Sequence, residues 1–254
     1  MNLPTTAVHP VPVGDAFGGA VVRAWRAGGG PGLEYEIIER DDGLLTVNDV
    51  AKYFAPFPEW GRLEQLACER AVGRTLDIGC GPGRHAVHLL AAGLDVLGLE
   101  PSAGAAAVAR ERGVPVREIG IEAIGTEAGL GMFDTLLLGG QSVGLLGSAE
   151  RAPAVLTRIA SVARVGGSLL AVGMDPSALS SREHLDYAQR NRDHGRLPGQ
   201  QRFRIRHRAV ASPWFDYLFA SGAELEALAA GTPWRLDELV PEGRQYLARF
   251  TRAF

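Results

Sequence analysis

From Arg74 onward, short apolar runs alternate with amphipathic stretches along the chain. Residues 74–79 (RTLDIG) predict a strand, 84–92 a helix stopped by Gly93, 95–100 a second strand, and the alanine-rich 103–112 a helix closed by Gly113. The rhythm continues with strands over 115–119 and 133–138, a helix over 149–164 and a fifth strand over 168–173. That helix carries Val155, Leu156, Ile159 and Val162 on one face. Upstream, Leu63, Leu66, Ala67 and Ala71 recur at helical spacing between 60 and 72. Short apolar strands joined by crossover helices imply a mainly parallel sheet covered on both faces.

After Pro176 the pattern changes. It predicts a polar helix over 181–192, strands over 201–210 and 214–220, a helix over 223–230, and a strand pair across 234–252, together an antiparallel edge on the parallel sheet. At the other end, residues 1–13 read as a loose arm and 16–26 as a short helix. The breaker GGGPG at 28–32 follows, so the compact fold is expected to begin near Leu33.

Composition narrows the class. With 254 residues, 46% of them hydrophobic and 22% charged, the chain suits one elaborated α/β domain. A formal net charge of -3 gives no overall positive field to draw in nucleic acid or anionic lipid. Cys68 and Cys80 are too few for a disulfide framework or a four-cysteine zinc site. No run approaches the roughly 18 to 20 apolar residues of a membrane span, and the proline-interrupted N-terminus lacks a signal-peptide pattern. A cytoplasmic monomer or homodimer, bound to neither membrane nor nucleic acid, is the expectation.

The chemistry concentrates in Leu76-Asp77-Ile78-Gly79-Cys80-Gly81-Pro82-Gly83, which puts three glycines at alternate positions between a strand and a helix. Glycine is needed where the backbone takes positive φ or where a ligand lies against the main chain. The free N–H groups of the following helix favour an anionic group. Glu100, ending the next strand, is placed to accept hydrogen bonds from ribose hydroxyls. The spacing is G-x-G-x-G rather than G-x-G-x-x-G, and His85 stands where tight packing of a dinucleotide-binding helix wants a small residue, which argues against a nicotinamide dinucleotide.

With Phe133-Asp134 opening the fourth strand and Val162-Ala163-Arg164-Val165-Gly166-Gly167 before the fifth, the chain resembles the class I S-adenosylmethionine-dependent methyltransferases over about 60–175. That resemblance implies a Rossmann-like, doubly wound, mainly parallel seven-stranded sheet with an antiparallel C-terminal edge and an N-terminal helical cap. It divides the chain into an arm and cap (1–59), a donor-binding core (60–175) and acceptor-site elements with the edge (176–254). It implies S-adenosylmethionine as methyl donor and S-adenosylhomocysteine as product. Asp77, Gly79, Cys80, Gly81 and Gly83 would hold the methionine part, Glu100 the ribose, and Gly120, Ile121 and Glu122 the adenine, with Pro101 also among the donor-binding residues. Gly120 departs from the aspartate that many members carry there; Glu122 is the substitute.

On the acceptor side, Gly139 and Gln141 follow the fourth strand, where the Asn/Asp-Pro-Pro-aromatic signature of amide- and base-methylating relatives is absent. Gln141 is a candidate for the donor's amino-acid part or for the acceptor. Tyr53, in the aromatic group Tyr53, Phe54, Phe57 and Trp60, is a candidate lid over the donor; the same group also reads as a staple docking the first helices. His184, three residues before Tyr187 on the polar helix, is the candidate general base, with His194 and His207 behind it. His85 and His88 lack a third ligand, so no metal is expected. Arg202, Arg204, Arg206 and Arg208 share one strand face, either as a solvated outer face or as a clamp for an anionic acceptor. The reading is a methyltransferase acting on O, N or C of a small molecule. A non-catalytic donor-binding or scaffolding subunit and a nicotinamide-dependent oxidoreductase on the same fold stay open.

Overall fold

The computed structural model describes residues 13–127 and 129–254, so the expected arm over 1–13 lies, but for Val13, outside the described residues. Helix α1 (Ala16–Arg26) starts at Asp15, whose carboxylate accepts from the Gly18 amide at 2.8 Å and so satisfies one free N–H of the first turn. A hairpin follows, β1 (Tyr35–Arg40) and β2 (Leu45–Asp49), turning at Gly43 with φ of 91°. Then come α2 (Arg62–Glu69), β3 (Arg74–Ile78), α3 (Arg84–Ala91), β4 (Asp95–Leu99), α4 (Ala103–Glu111) and the two-residue β5 (Val116–Arg117). Strand β6 (Phe133–Leu138), α5 (Ala152–Ser161), the long β7 (Ala163–Met174) and α6 (Arg182–Asp193) lead to β8 (Gln200–His207), β9 (Val210–Ala211) and β10 (Phe215–Leu218). The chain closes with α7 (Gly222–Ala229), β11 (Trp234–Glu242) and β12 (Gln245–Arg252).

The large sheet has the order β11-β12-β7-β6-β3-β4-β5. From β7 to β5 the pairing is parallel, whereas β12 runs antiparallel to β7 and β11 antiparallel to β12. This is the expected seven-stranded architecture. Its strands are buried on both sides: Leu136 and Leu138 join a cluster with Val155, Leu156 and Ile159 of α5, while Leu137 joins Leu63, Ala67 and Leu89 beneath α2 and α3. Each fully buried leucine contributes roughly 1.5 to 3 kcal/mol. Because β3 leads to β4 on one side while β6 lies on the other, the strand order reverses at β3/β6. The strands' C-terminal ends at such a reversal are the usual binding position in open α/β sheets.

Two expectations are corrected. The segments expected as strands over 201–210 and 214–220 do not extend the parallel sheet. They form a second, antiparallel sheet, β10-β8-β1-β2 with β9 beside β8, and only the pair across 234–252 makes the antiparallel edge. The fold also begins before Leu33. Ala20, Val21 and Ala24 of α1 pack with Val50 and with Ala105 and Val108 of α4, because glycines at the crossing let the helices meet: a Cβ on Gly104 would stand 2.7 Å from the Gly18 backbone.

Candidate functional site

The glycine loop follows β3 at that reversal. Gly79, Gly81 and Gly83 all have positive φ, at 72°, 57° and 84°. At Gly81 a Cβ would find nothing nearer than the Phe17 ring tip, 3.8 Å away, so no side chain packs on that face of the loop; at Gly83 a Cβ would press on Val114 at 2.8 Å. Cys80 is buried against Gly98 of β4, where an added Cβ would lie 2.6 Å from its sulfur, and burial raises its thiol pKa. It is a packing residue in the loop and unsuited to nucleophilic work.

Glu100 sits at the tip of β4 and is 5% exposed. One carboxylate oxygen accepts from the Gly81 amide at 2.9 Å and the other from the Ser102 amide at 2.8 Å. Burial pushes its pKa up to about 7 against the opposing pull of those two bonds. Each oxygen keeps a further lone pair for a hydroxyl donor. Pro101 follows, exposed, and lies 4.0 Å from where a Cβ on Gly120 would stand. Ile121 is buried in the core, while Glu122 pairs with Arg151 at 3.1 Å on the surface.

Asp77, at the end of β3, is 1% exposed; burial raises its pKa, opposed by the nearby His85 and an Ala86 amide. Its Oδ2 has no hydrogen-bond partner. His85 fits beneath because Gly139 has no side chain: a Cβ there would meet the imidazole at 2.7 Å. Glu64 pairs with Arg84 and lies 3.7 Å from His85. Gln141 takes a left-handed φ of 72° and opens the short 3-10 turn Ser142–Leu146; its carbonyl accepts from the Tyr217 hydroxyl of β10 at 2.7 Å.

The aromatic group divides. Phe54 stacks on Trp25, and Phe57 stacks on His88 with Trp60 edge-on, so these three staple the N-terminal helices. Tyr53 turns toward the loop, its ring 5.2 Å from Phe17 and its hydroxyl donating to Glu36 at 2.8 Å.

His184 belongs to another neighbourhood. Its Nδ1 lies 3.1 Å from the buried Arg40 guanidinium, which also binds Asp42 and the Glu183 carbonyl. Burial and the Arg40 charge lower its pKa. It borders a cavity of about 350 Å³ with Asp175, Arg192 and Glu224, none of them in the glycine loop. The hairpin explains this: α6 docks against the turn after β1, where the Tyr187 hydroxyl donates to Asp41 at 2.8 Å. His194 hydrogen-bonds its own helix at the Arg190 carbonyl, and His207 pairs with Glu34 at 2.6 Å. Of the arginine row, Arg204 and Arg206 both pair with Glu39, on the sheet face opposite Phe203 and Ile205. Glu36, which the sequence reading did not single out, is 0% exposed.

Residues 75–167 match the family model described as a methyltransferase domain. That segment, which holds the glycine loop and Glu100, is similar to a methyltransferase domain. Over the whole chain the fold is similar to that of a SAM-dependent methyltransferase from Bacteroides fragilis in complex with S-adenosyl-L-homocysteine: 24% identity, 98% of each chain covered, TM-score 0.79. It is also similar in fold to the CcbJ methyltransferase from Streptomyces caelestis, with 14% identity over 78% of this chain and 95% of that one at a TM-score of 0.57. The sugar N-methyltransferase KedS8 from a Streptoalloteichus species has 17% identity, 100% and 99% coverage and a TM-score of 0.54. No curated protein matches the sequence. The match favours a methyltransferase over the oxidoreductase alternative. No helix among the described residues is long and apolar enough to cross a membrane.

Proposed function

We propose that this methyltransferase acts on a small molecule in the cytoplasm, with residues 60–175 binding the donor and 1–59 and 176–254 furnishing the acceptor side. The residues at the reversal suit the donor. Glu100 has free lone pairs for ribose hydroxyls, Asp77 keeps a buried oxygen without a partner for an ammonium, and the bare peptide at Gly81 accommodates close contact. When bound, S-adenosylmethionine supplies a methyl group already activated by its sulfonium, so the protein's work is alignment and exclusion of water. Asp77, Gly79, Cys80, Gly81 and Gly83 line the methionine end, with Gly139 and Gln141 closing it. Pro101 with Gly120, Ile121 and Glu122 forms the adenine slot, and Tyr53 is the side wall.

The observation that carries the small-molecule reading is the fastening of the second sheet and of α1 beside the glycine loop. Tyr217 ties β10 to Gln141, and Asp15 ties α1 to Ser102 and Gly104 at 3.0 and 2.9 Å. Fastening on both sides favours a compact acceptor over a duplex or a folded protein surface. The sugar N-methyltransferase among the fold neighbours is consistent with that. Incubation with methyl-labelled S-adenosylmethionine and either a deproteinised metabolite extract or bulk RNA, DNA and protein tests it. Label should enter the small-molecule fraction; label in macromolecules alone would overturn the reading. His184 is not assigned as the base, since its contacts are those of a docking residue for α6.

A further inference from the structure

Glu36 is a fully buried carboxylate on the inward face of β1. Its Oε1 is crowded: the Tyr53 hydroxyl donates at 2.8 Å, the Asn48 amide at 3.3 Å, and the Lys52 ammonium stands at 2.9 Å. Its Oε2, equally buried, has no hydrogen-bond partner. An acceptor oxygen shut away from water without a donor costs about 1 to 3 kcal/mol, which a ligand N–H or O–H would remove. The position connects to the proposed donor site on two sides. Tyr53 meets Phe17, whose ring tip faces Gly81. The Tyr217 hydroxyl, whose ionisation burial and then the Glu36 charge oppose, bonds Gln141 beside Ser142, and Ser142 Oγ lies 3.5 Å from where a Cβ on Gly79 would stand.

We propose that Glu36 Oε2 receives the N–H of the methyl acceptor, and that the acceptor is therefore an amine, held between the Tyr53 and Tyr217 rings. This rests on the small-molecule reading above and deepens it. During transfer to an amine the nitrogen lone pair forms the N–C bond, the C–S bond breaks with its electron pair left on sulfur, and the positive charge passes to nitrogen. The proton on that nitrogen is then released to solvent. A fixed carboxylate beside the nitrogen stabilises the charge as it arrives. An alkyl hydroxyl would instead have to surrender its proton during transfer, and its pKa lies about ten units above a carboxylate's, too far for efficient base catalysis. Aromatic walls add cation-π attraction for the ammonium product.

The test uses the full chain saturated with S-adenosylhomocysteine, with benzylamine and benzyl alcohol as probes of matched shape, read by calorimetry. Benzylamine should bind saturably in the millimolar range, at least tenfold tighter than the alcohol, and Glu36→Gln should abolish that preference while leaving S-adenosylhomocysteine affinity within twofold. Lys52→Met, which removes the competing cation from a half-exposed position, should raise amine affinity severalfold. Equal binding of the two probes, no amine binding, a preference that survives Glu36→Gln, or an unchanged affinity in Lys52→Met would each overturn the assignment of Glu36. Failure of the wild-type chain to bind S-adenosylhomocysteine would instead bring down the donor site and this inference with it.

Discussion

Asp15 and Glu100 hold the same serine from opposite directions. The Ser102 amide donates to Glu100 at 2.8 Å, and the Ser102 hydroxyl donates to Asp15 at 3.0 Å. Asp15 also caps α1 through Gly18 and accepts from the Gly104 amide, so one carboxylate joins the starts of two helices beside the proposed donor site. Asp15→Ala should therefore cost about 1 to 2 kcal/mol of stability, the usual penalty for losing an N-cap. It should also weaken S-adenosylhomocysteine binding, because α1 carries Phe17 over Gly81. A lower melting temperature with unchanged affinity would show that the helical cap does not contribute to donor binding.

Glu100 gives a pH dependence of definite sign. Its folded pKa of about 7 lies above the ordinary 4.5, so the folded chain keeps a proton that the unfolded chain releases between those values. Stability falls as pH rises from about 4.5 to 7, by an amount on the order of 3 kcal/mol, and stays reduced above. Donor binding has the opposite trend, since ribose hydroxyls donate best to the ionised carboxylate. S-adenosylhomocysteine affinity should rise toward pH 7 and level off beyond it. Glu100→Gln should bind more weakly, by about 1.5 to 3 kcal/mol, with a flat profile over that range. Calorimetry across pH 5.5 to 8.5 checks both arms.

The loop and acid of the proposed donor half were legible in the sequence because glycines and apolar strands leave a strong local pattern. The loop at 79–83 and the acid at 100 sit on elements whose limits differ from the expected ones by only a few residues. The acceptor half was not. In β1 the inward positions are Glu36, Ile38 and Arg40, so Tyr35-Glu36-Ile37-Ile38-Glu39-Arg40 shows no alternation of apolar and polar residues, and the hairpin passed unnoticed despite Asp41-Asp42-Gly43 at its turn. Without the hairpin, the pattern assigns β8 and β10 to the edge of the parallel sheet rather than to a second sheet. A buried charge that breaks a strand's pattern is the signal that marks Glu36.

The crossing of α1 and α4 allows no side chain at Gly104. An added Cβ would stand 2.7 Å from the Gly18 backbone, and a main-chain neighbour cannot turn aside as a side chain can. Gly104→Ala should part the helices and lower the melting temperature by several degrees, as expected for overpacking that costs about 1 to 3 kcal/mol. The helix propensity gained from alanine, about 1 kcal/mol, is too small to compensate. A variant as stable as the wild type would show that α1 moves freely on the core.

The arginine row has an acid-side signature. Arg204 and Arg206 share Glu39, and hydrogen bonding from Arg204, helped by Arg206, holds its carboxyl down to about 2. The stabilisation from this cluster is present above pH 4.5 and is lost as pH falls through about 2. Glu39→Gln should be less stable near neutrality and lose less on acidification, measured as unfolding midpoints from pH 7 to 2. Identical acid profiles would remove the cluster from the stability of the second sheet.

Gln141 separates backbone conformation from side-chain use. Its φ of 72° is a left-handed conformation that a side chain disfavours by about 1 kcal/mol or more, and its carbonyl, not its amide group, anchors Tyr217. Among the described residues its side chain makes no hydrogen bond that would explain keeping it. Gln141→Gly preserves the Tyr217 bond and relieves the strain, so thermal stability should hold or rise. If the side chain amide binds the amino-acid end of the donor, S-adenosylhomocysteine affinity should fall about tenfold, as expected for one hydrogen bond to a charged group. A stable variant with unchanged affinity would leave the side chain facing the acceptor, and binding of benzylamine to the same variant would then register the loss.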